Sequence, residues 1–181
     1  MAITLNLTES DVLTSLRSFL LAILPSGIEV VRGLDNRVPE PDSSDDPAGT
    51  DFVTMTPIMQ TRQSTTNQSY FDSGSTAGTQ TDSFHNEYII QIDVHGPNCA
   101  NHASIIEGMF RSSYGVILFQ SFNDKISSTY ISSSRLLPFV NAEQQVERRY
   151  SIDVILDTIP SVTIDVADYF ADTATITQWA R

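Results

Sequence analysis

Apolar and polar residues alternate along two stretches of the chain, and these stretches predict the centre of the fold. One side of residues 87–96 is apolar and consists of Tyr88, Ile90, Ile92 and Val94. The other side is mainly polar, with Ile89 beside Gln91, Asp93 and His95. The same apolar side recurs in residues 150–157, formed by Tyr150, Ile152, Val154 and Leu156. A period of two is typical of strands with one face in a core, so we predict both strands in one sheet.

Helical spacing predicts two helices that pack on this sheet. Thr8 is the expected N-cap of the first, with Glu9 and Asp11 in the first turn, where carboxylates suit the helix dipole. Its apolar positions are Val12, Leu13, Leu16, Leu20, Ile23 and Leu24, with Phe19 beside them. Pro25 and Gly27 end it. The second helix is expected over residues 98–111, with Asn98 as N-cap and with Ala103, Ile106 and Phe110 on its buried side.

Shorter segments add strands around the central pair. Residues 28–32 and 51–63 are predicted strands, and Pro57 places the second at a sheet edge or a bulge. Residues 114–122 and 125–131 mix apolar and polar positions, and we interpret them as strands or a hairpin. Val162 and Ile164 extend the sheet, and 165–170 are expected to form one helical turn. The predicted fold class is α+β, a mixed, mainly antiparallel sheet with two helices packed on it and long polar loops.

The chain of 181 residues is long enough for one domain, which we expect to span residues 1–181. Two extended loops are predicted within it, 33–50 with several prolines and 63–83 rich in Ser, Thr and Gly, and a C-terminal tail at 173–181. We expect both loops to be mobile in a free subunit and ordered by neighbours. Tyr70 and Phe71 are either anchors for a partner or aromatic side chains that fold back on the sheet.

Composition excludes several functional classes. The net charge is −12 and the ten Lys and Arg residues are scattered, so sequence-independent binding of DNA phosphates by a monomer is not expected. There is no apolar run long enough for a membrane span, and the N-terminus does not resemble a secretory signal. A single cysteine, Cys99, excludes an internal disulfide framework and fits a reducing compartment.

The sequence contains no strong candidate for a catalytic, metal-binding or phosphate-binding site. The only cluster with metal-binding residue types is Asp93, His95, Cys99 and His102, whose spacing matches no known zinc pattern. A calcium hypothesis arises from Asp42, Asp45, Asp46 and Asp51, without the spacing of a calcium loop. A Cys99 nucleophile lacks an orienting group, and the turn after the first central strand lacks a phosphate-binding glycine pattern. We predict no catalytic residues, no metal and no cofactor.

Four segments, in this order and spacing, resemble a known family. They are VVRGLDNRVPEPD at 30–42, DFVTMTPI at 51–58, QIDVHGP at 91–97 and LPFVNAEQQVERR at 137–149. Together they resemble the neck terminator proteins of tailed bacteriophages, which look like relatives of the tail terminators of long-tailed phages. The resemblance covers most of the chain but not residues 63–83 or the last dozen residues. The resemblance implies no catalytic residues in this chain.

The resemblance implies a structural virion protein that forms a homo-oligomeric ring of six copies at the head-proximal end of the tail. Such a ring ends the tail tube, and the sheath where there is one, and joins the tail to a head connector. DNA is expected to pass through the lumen without specific binding, since an acidic wall repels phosphates. The alternatives are a head-completion or connector ring of the neck with twelve copies, and a metal-dependent enzyme using His95, Cys99 and His102. The implied location is the virion, after assembly in the host cytoplasm.

Overall fold

A computed structural model describes residues 3–34, 51–72, 77–140 and 146–167 of the chain. The helices are α1 Glu9–Ile23, α2 Cys99–Phe110 and α3 Ser113–Phe122. The strands are β1 Ile3–Leu5, β2 Glu29–Arg32, β3 Phe52–Arg62, β4 Asn67–Asp72, β5 Ala77–Ser83, β6 Asn86–His95, β7 Ile126–Ile131, β8 Arg135–Leu136, β9 Phe139–Val140, β10 Val146–Glu147, β11 Arg149–Thr158 and β12 Ser161–Ala167. The α+β class and the predominance of antiparallel pairing are confirmed, and the described residues contain three helices in place of the expected two.

The two predicted central strands, β6 and β11, are direct antiparallel neighbours in the middle of the larger sheet, which we call the core sheet. Its strand order is β2-β3-β6-β11-β7, and β8 also pairs with β11. The predicted apolar face is correct: Ile90, Ile92, Val94, Ile152, Val154 and Leu156 are all fully buried. Directly paired residues such as Ile92 and Ile152 bring their side chains together on this face, which makes it the floor of the hydrophobic core.

The helices cover this face of the core sheet. Helix α1 begins with a capping box, in which the Thr8 hydroxyl accepts from the Asp11 amide and the Asp11 carboxylate accepts from the Thr8 amide. It ends at Ile23, and Gly27 then adopts a positive φ of 99° that favours glycine. Phe19 of α1 stacks on Phe119 of α3 with ring centroids 4.7 Å apart. These contacts hold the helix layer together above the sheet.

The expectation of a strand or hairpin at 114–122 is wrong, because these residues form α3. The Ser112 hydroxyl caps the helix by accepting from the Gly115 amide. Gly115 and Phe119, four residues apart, are the buried positions, and a Cβ on Gly115 would collide with the Met109 carbonyl oxygen. Close packing against the end of α2 therefore selects the helix. The strand predicted at 125–131 is confirmed as β7.

Strand β3 accommodates Pro57 at a register shift between Pro57 and Met59, as the bulge hypothesis predicted. The parallel neighbour β2 pairs with Phe52 to Met55, so among the described residues Pro57 has no ladder partner on that side. The proline therefore costs no hydrogen bond on that side of the sheet.

A second sheet, which we call the arm sheet, corrects the expectation of an extended loop at 63–83. Strands β4 and β5 form a hairpin within these residues, and the sheet has the order β1-β12-β5-β4. Val162 and Ile164 were expected to extend the sheet, and they lie in β12. Strand β12 continues the register of the central strands but belongs to the arm sheet. Polar residues form strands here because the ladder with β12 satisfies the backbone groups of β5. The helical turn expected at 165–170 is wrong over Asp165 to Ala167, which are strand.

Several expectations fall outside the described residues. They concern positions 35–50 of the proline-containing loop, positions 168–170 of the expected turn, and the tail at 173–181.

We expect Ile92→Asp to abolish folding, since it places an unpaired carboxylate on the fully buried face of β6. That cost is several kcal/mol against a typical stability of about 5–15 kcal/mol. Ile58→Asp is the matched control, because Ile58 is 56% exposed. Circular dichroism should show a cooperative melt for the control and none for Ile92→Asp. A folded Ile92→Asp chain with a midpoint near that of the unsubstituted protein contradicts the assignment.

Candidate assembly surfaces

The candidate zinc residues follow one another from the end of β6 into α2 but have separate roles. The His95 ring stacks on the Phe52 ring, with centroids 4.3 Å apart and planes within 4°. Cys99, the first residue of α2, is fully buried in the hydrophobic core. His102 lies one turn further along and places its Nε2 3.2 Å from a carboxylate oxygen of Asp51. These three side chains therefore make different packing and polar contacts.

Asp51 connects the start of β3 to the start of α2. Its Oδ1 accepts from the Asn98 amide at 3.0 Å, and its Oδ2 accepts from the Asn98 side chain at 2.9 Å. Burial pushes the pKa of Asp51 up, but the hydrogen bonds from Asn98 and His102 outweigh this and leave it below the ordinary value. The carboxylate thus stays charged at a helix N-terminus, where the dipole favours it. Asn98 is the N-cap, as predicted, but its side chain makes no capping bond.

This arrangement offers little for catalysis or metal binding. Within the described ranges no three His, Cys, Asp or Glu side chains come together in a way that could hold a metal. Burial raises the pKa of the Cys99 thiol, which disfavours the thiolate that a nucleophile needs. Asp42, Asp45 and Asp46 of the calcium hypothesis lie outside the described residues, and Asp51 is committed to Asn98 and His102.

The second face of the core sheet is more buried than the alternation indicated. Asp93 and His95 point away from the helices as predicted, yet each retains only 5–6% of its surface. Asp93 accepts both its side-chain hydrogen bonds from the Gln91 amide group, at 2.8 and 3.0 Å. The Arg149 guanidinium lies 4.0 Å from the same carboxylate. This polar face is therefore part of the packed structure.

The arm sheet continues the central strands without a change of register. Thr158 pairs with Asn86 at the end of the core sheet, and Ser161 pairs with Ser83 at the start of the arm. Backbone hydrogen bonds bridge the junction, since Phe84 donates to the Pro160 carbonyl at 3.2 Å. One face of the arm is therefore expected to continue the apolar face of the core.

That continuing face, which we call the arm face, carries apolar side chains beside Gln80 and Asp82 and is only partly covered. Its apolar side chains are Ile3, Leu5, Tyr70, Val162 and Ile164. Ile3 is 70% exposed and Leu5 is 49% exposed. Among the arm residues whose side chains are described, only Gly78 is buried. Uncovered apolar surface of this kind commonly marks a site of association.

The two aromatic residues of the arm lie on opposite faces. Tyr70 packs over Gly78 of the neighbouring strand, where no Cβ would fit beneath its ring. Phe71 lies on the other face, among Ser and Thr side chains, and is 69% exposed. Each of the two predicted alternatives therefore applies to one residue of the pair: Tyr70 folds onto the sheet, and Phe71 is exposed to the surroundings.

A second exposed region, which we call the hairpin patch, lies at the opposite end of β11 from the arm. Its described residues Arg135, Leu136, Leu137, Val140, Val146 and Arg148 are exposed. Arg135 and Leu136 lie on opposite faces of β8, and Arg135 is ion-paired with Asp153. Strand β8 joins it to β11 through the pair Leu136 and Tyr150. The Leu137 amide donates to the Arg149 carbonyl at 2.8 Å. The patch lies within the stretch 137–149 that carries one of the recognised motifs, together with the adjacent strand β8.

Sequence comparison identifies the family of the chain. A family model described as phage neck terminator protein matches residues 10–179. The chain belongs to the phage neck terminator protein family. The resemblance inferred from the four motifs is thereby confirmed. No curated protein sequence matches the chain significantly.

Membership of the neck terminator family assigns a structural role in the tail and neck of a phage. It places the protein in the virion and implies contacts with other tail and head proteins. A family of structural neck proteins also favours a non-enzymatic role. No helix in the described part of the chain has the length and apolar character needed to cross a membrane.

Sequence reasoning missed the arm face and the hairpin patch as surfaces. The alternation of Ile3 and Leu5 was a usable signal, but the stretch is only three residues long. The Asp51–Asn98 link had no local signal, because the two residues are 47 positions apart.

We expect Asp51→Asn to destabilise the protein at neutral pH by about 1–2 kcal/mol, since it weakens charge-assisted hydrogen bonds to a helix start. Because the pKa of Asp51 is lowered in the fold, its contribution is present above the unfolded value of about 4 and is lost as the pH falls below that. Denaturant titrations at pH 7 and pH 3 should therefore show a difference between variant and unsubstituted protein that shrinks in acid.

Asp124→Asn serves as the control for this measurement, because the Asp124 side chain is 79% exposed. Its effect at pH 7 should stay within about 0.5 kcal/mol. A difference between Asp51→Asn and the unsubstituted protein that is the same at both pH values would contradict the role assigned to the charged Asp51.

We also expect the purified protein to hold no stoichiometric zinc. The separate contacts of His95, Cys99 and His102 motivate this expectation. Elemental analysis and melting with and without a chelator provide the measurement. One zinc per chain together with unfolding on chelation would restore the metal hypothesis.

Proposed function

We propose that the protein forms a ring of six copies that ends the tail at its head-proximal side and joins it to the head. The observation that carries this proposal is the family match over nearly the whole chain, residues 10–179 of 181. We treat residues 1–181 as one terminator domain. Its proposed partners are further copies of itself, the tail tube, the sheath where there is one, and a head connector.

The geometry supports this role through its two distinct surfaces. A tail tube grows because each ring offers its top to the base of the next, a heterologous contact that continues without limit. A terminator must match that base and present something else above. The rigid core sheet is suited to a tube-like contact, and the arm sheet supplies a different surface at the far end of the same strands. One chain can then face two kinds of partner.

The charge of the chain suits a passage for DNA. With a net charge of −12 the proposed ring repels phosphates at a distance. DNA crossing its lumen would then slide without being held by counterion-releasing contacts. We accordingly propose no specific DNA binding. The ring is assembled in the host cytoplasm and remains in the virion.

Deleting the gene should give filled heads without tails, beside tails of abnormal or uncontrolled length. The physical reason is that open-ended growth stops only when a non-matching surface is added. Electron microscopy of particles from the deletion strain measures this, with restoration by a plasmid copy as the control. Normal infectious particles without the gene would refute the proposal. Tails of correct length that fail to join heads would favour the connector alternative.

The native mass of the isolated ring separates the same two functions. Six copies of the 20.0 kDa chain give about 120 kDa and twelve give about 240 kDa. We expect the smaller value.

A further inference from the structure

We propose that the arm sheet is held in a fixed direction relative to the core sheet in the free subunit, and that Arg62 is the residue that positions it. The arm then reaches a partner already formed, with no ordering step on contact. This inference rests on the proposed assembly role and specifies the state in which a subunit joins its neighbours. It replaces the expectation that residues 63–83 become ordered only by those neighbours.

The connections between core and arm are short and restricted in their backbone angles. Among the described residues the chain crosses between the two four times, at 6–8, 63–66, 84–85 and 159–160. A hinge needs a few positions that absorb large changes of φ and ψ. None of these connections contains glycine, and the last contains Pro160, whose ring fixes its own φ. The junction therefore lacks the residues that move most easily.

Hydrogen bonds also tie these connections to one another. The Gln63 amide donates to the His85 carbonyl at 2.9 Å, and the His85 amide donates to the Ser64 hydroxyl at 2.8 Å. At the β1 side the Asn6 amide donates to the Ser161 carbonyl at 3.0 Å. The Asn6 side-chain oxygen accepts from the Ser161 amide at 2.6 Å. A change in the direction of the arm has to break several of these bonds together.

One side of the junction is longer than the side that it faces. Arg62 pairs with Asn86 at the end of the core sheet, and Asn67 pairs with Ser83 at the start of the arm. Residues 63–66 therefore lie opposite residues 84–85 alone. Extra residues in one strand bend it and interrupt the ladder, so backbone pairing does not fix this connection by itself.

The Arg62 side chain joins the longer connection to the shorter one. Its Nε donates to the Ser64 carbonyl at 2.9 Å, and a terminal nitrogen donates to the Thr66 hydroxyl at 2.6 Å. The same guanidinium lies 4.5 Å from the centre of the Phe84 ring, which belongs to the opposing connection. A planar guanidinium can donate to two acceptors and stack on an aromatic face at once. Arg62 therefore holds the part of the junction that the ladder leaves open.

A preformed arm favours assembly. A segment that becomes ordered on binding loses conformational entropy at that step, which weakens its association. An arm that the junction already holds loses less. Loss of the Arg62 contacts should therefore weaken assembly while the core stays folded.

Single-molecule fluorescence energy transfer tests the direction of the arm in isolated subunits. Dyes on Phe71→Cys in the arm and Ile117→Cys in α3 occupy positions that are 69% and 64% exposed, and the native Cys99 is buried. At picomolar concentration the native junction should give one narrow peak of transfer efficiency. Arg62→Ala should broaden or shift this peak. A broad peak with the native junction, or an unchanged narrow peak in Arg62→Ala, overturns the proposal.

Arg32→Ala is the matched control for this measurement. Arg32 is also an exposed arginine at the end of a strand, but it is ion-paired with Glu9 and its strand pairs with Met55, away from the junction. Its removal should leave the peak unchanged. Equal broadening by Arg32→Ala and Arg62→Ala would contradict a specific role of Arg62.

A double-substitution cycle tests the contact between Arg62 and Phe84. Phe84→Leu keeps an apolar side chain but removes the aromatic face, so it should also broaden the peak. Adding Arg62→Ala to Phe84→Leu should then change little, because both substitutions remove the same contact. Fully additive broadening would show that the two residues act separately and would rule out the contact as the positioning element.

Competition for incorporation into particles measures the consequence for assembly. When a variant and the unsubstituted protein are expressed together in the deletion strain, Arg62→Ala should be depleted several-fold in purified particles relative to the soluble pool. Arg32→Ala should be incorporated at its expressed ratio. Equal incorporation of Arg62→Ala would contradict preorganisation. The fluorescence measurement needs no ring, so failure of this inference is distinguishable from failure of the proposed function, which the deletion phenotype tests.

Discussion

The antiparallel pairing of β6 and β11 is the interaction on which the rest of the structure depends. Its ten-residue register aligns the apolar side chains of both strands on one face, and the three helices pack on that face. The same ladder, in the same register, continues as β5 and β12. One pair of strands therefore builds both the hydrophobic core and the arm, and fixes how the two are connected.

The core sheet and the arm sheet differ in whether a helix layer covers the apolar face, and not in how their strands pair. Over the core sheet the aromatic contacts of Phe19, Phe110 and Phe119 anchor a continuous helix layer. The arm has no such layer among the described residues: Ile3, Leu5 and Tyr70 are exposed, and Val162 and Ile164 are half-buried. A neck protein works by contacts with other proteins, so an incomplete core in a single chain is consistent with a molecule completed by assembly.

The candidate chemical site illustrates how far residue types alone can mislead. Asp93, His95, Cys99 and His102 have the right identities for a metal centre, yet the structure uses them in packing and in tying β3 to α2. The deciding residue was Asp51, whose carboxylate binds the start of a helix 47 positions later. No spacing rule applied to residues 91–102 could include it, because the contact exists only after the strands pair.

The sequence by itself determined the local elements and the family. The alternation of apolar and polar residues predicted β6, β11 and their buried face. Thr8 was predicted as the N-cap of α1, and four motifs indicated the terminator family. Only the tertiary structure decided that residues 113–122 are helical and that the polar residues 67–83 contain two strands. The physical reason is common to both. Partners far along the chain stabilise both conformations: Phe119 of α3 stacks on Phe19 of α1, and β5 pairs with β12. Local propensity carries no information about such partners.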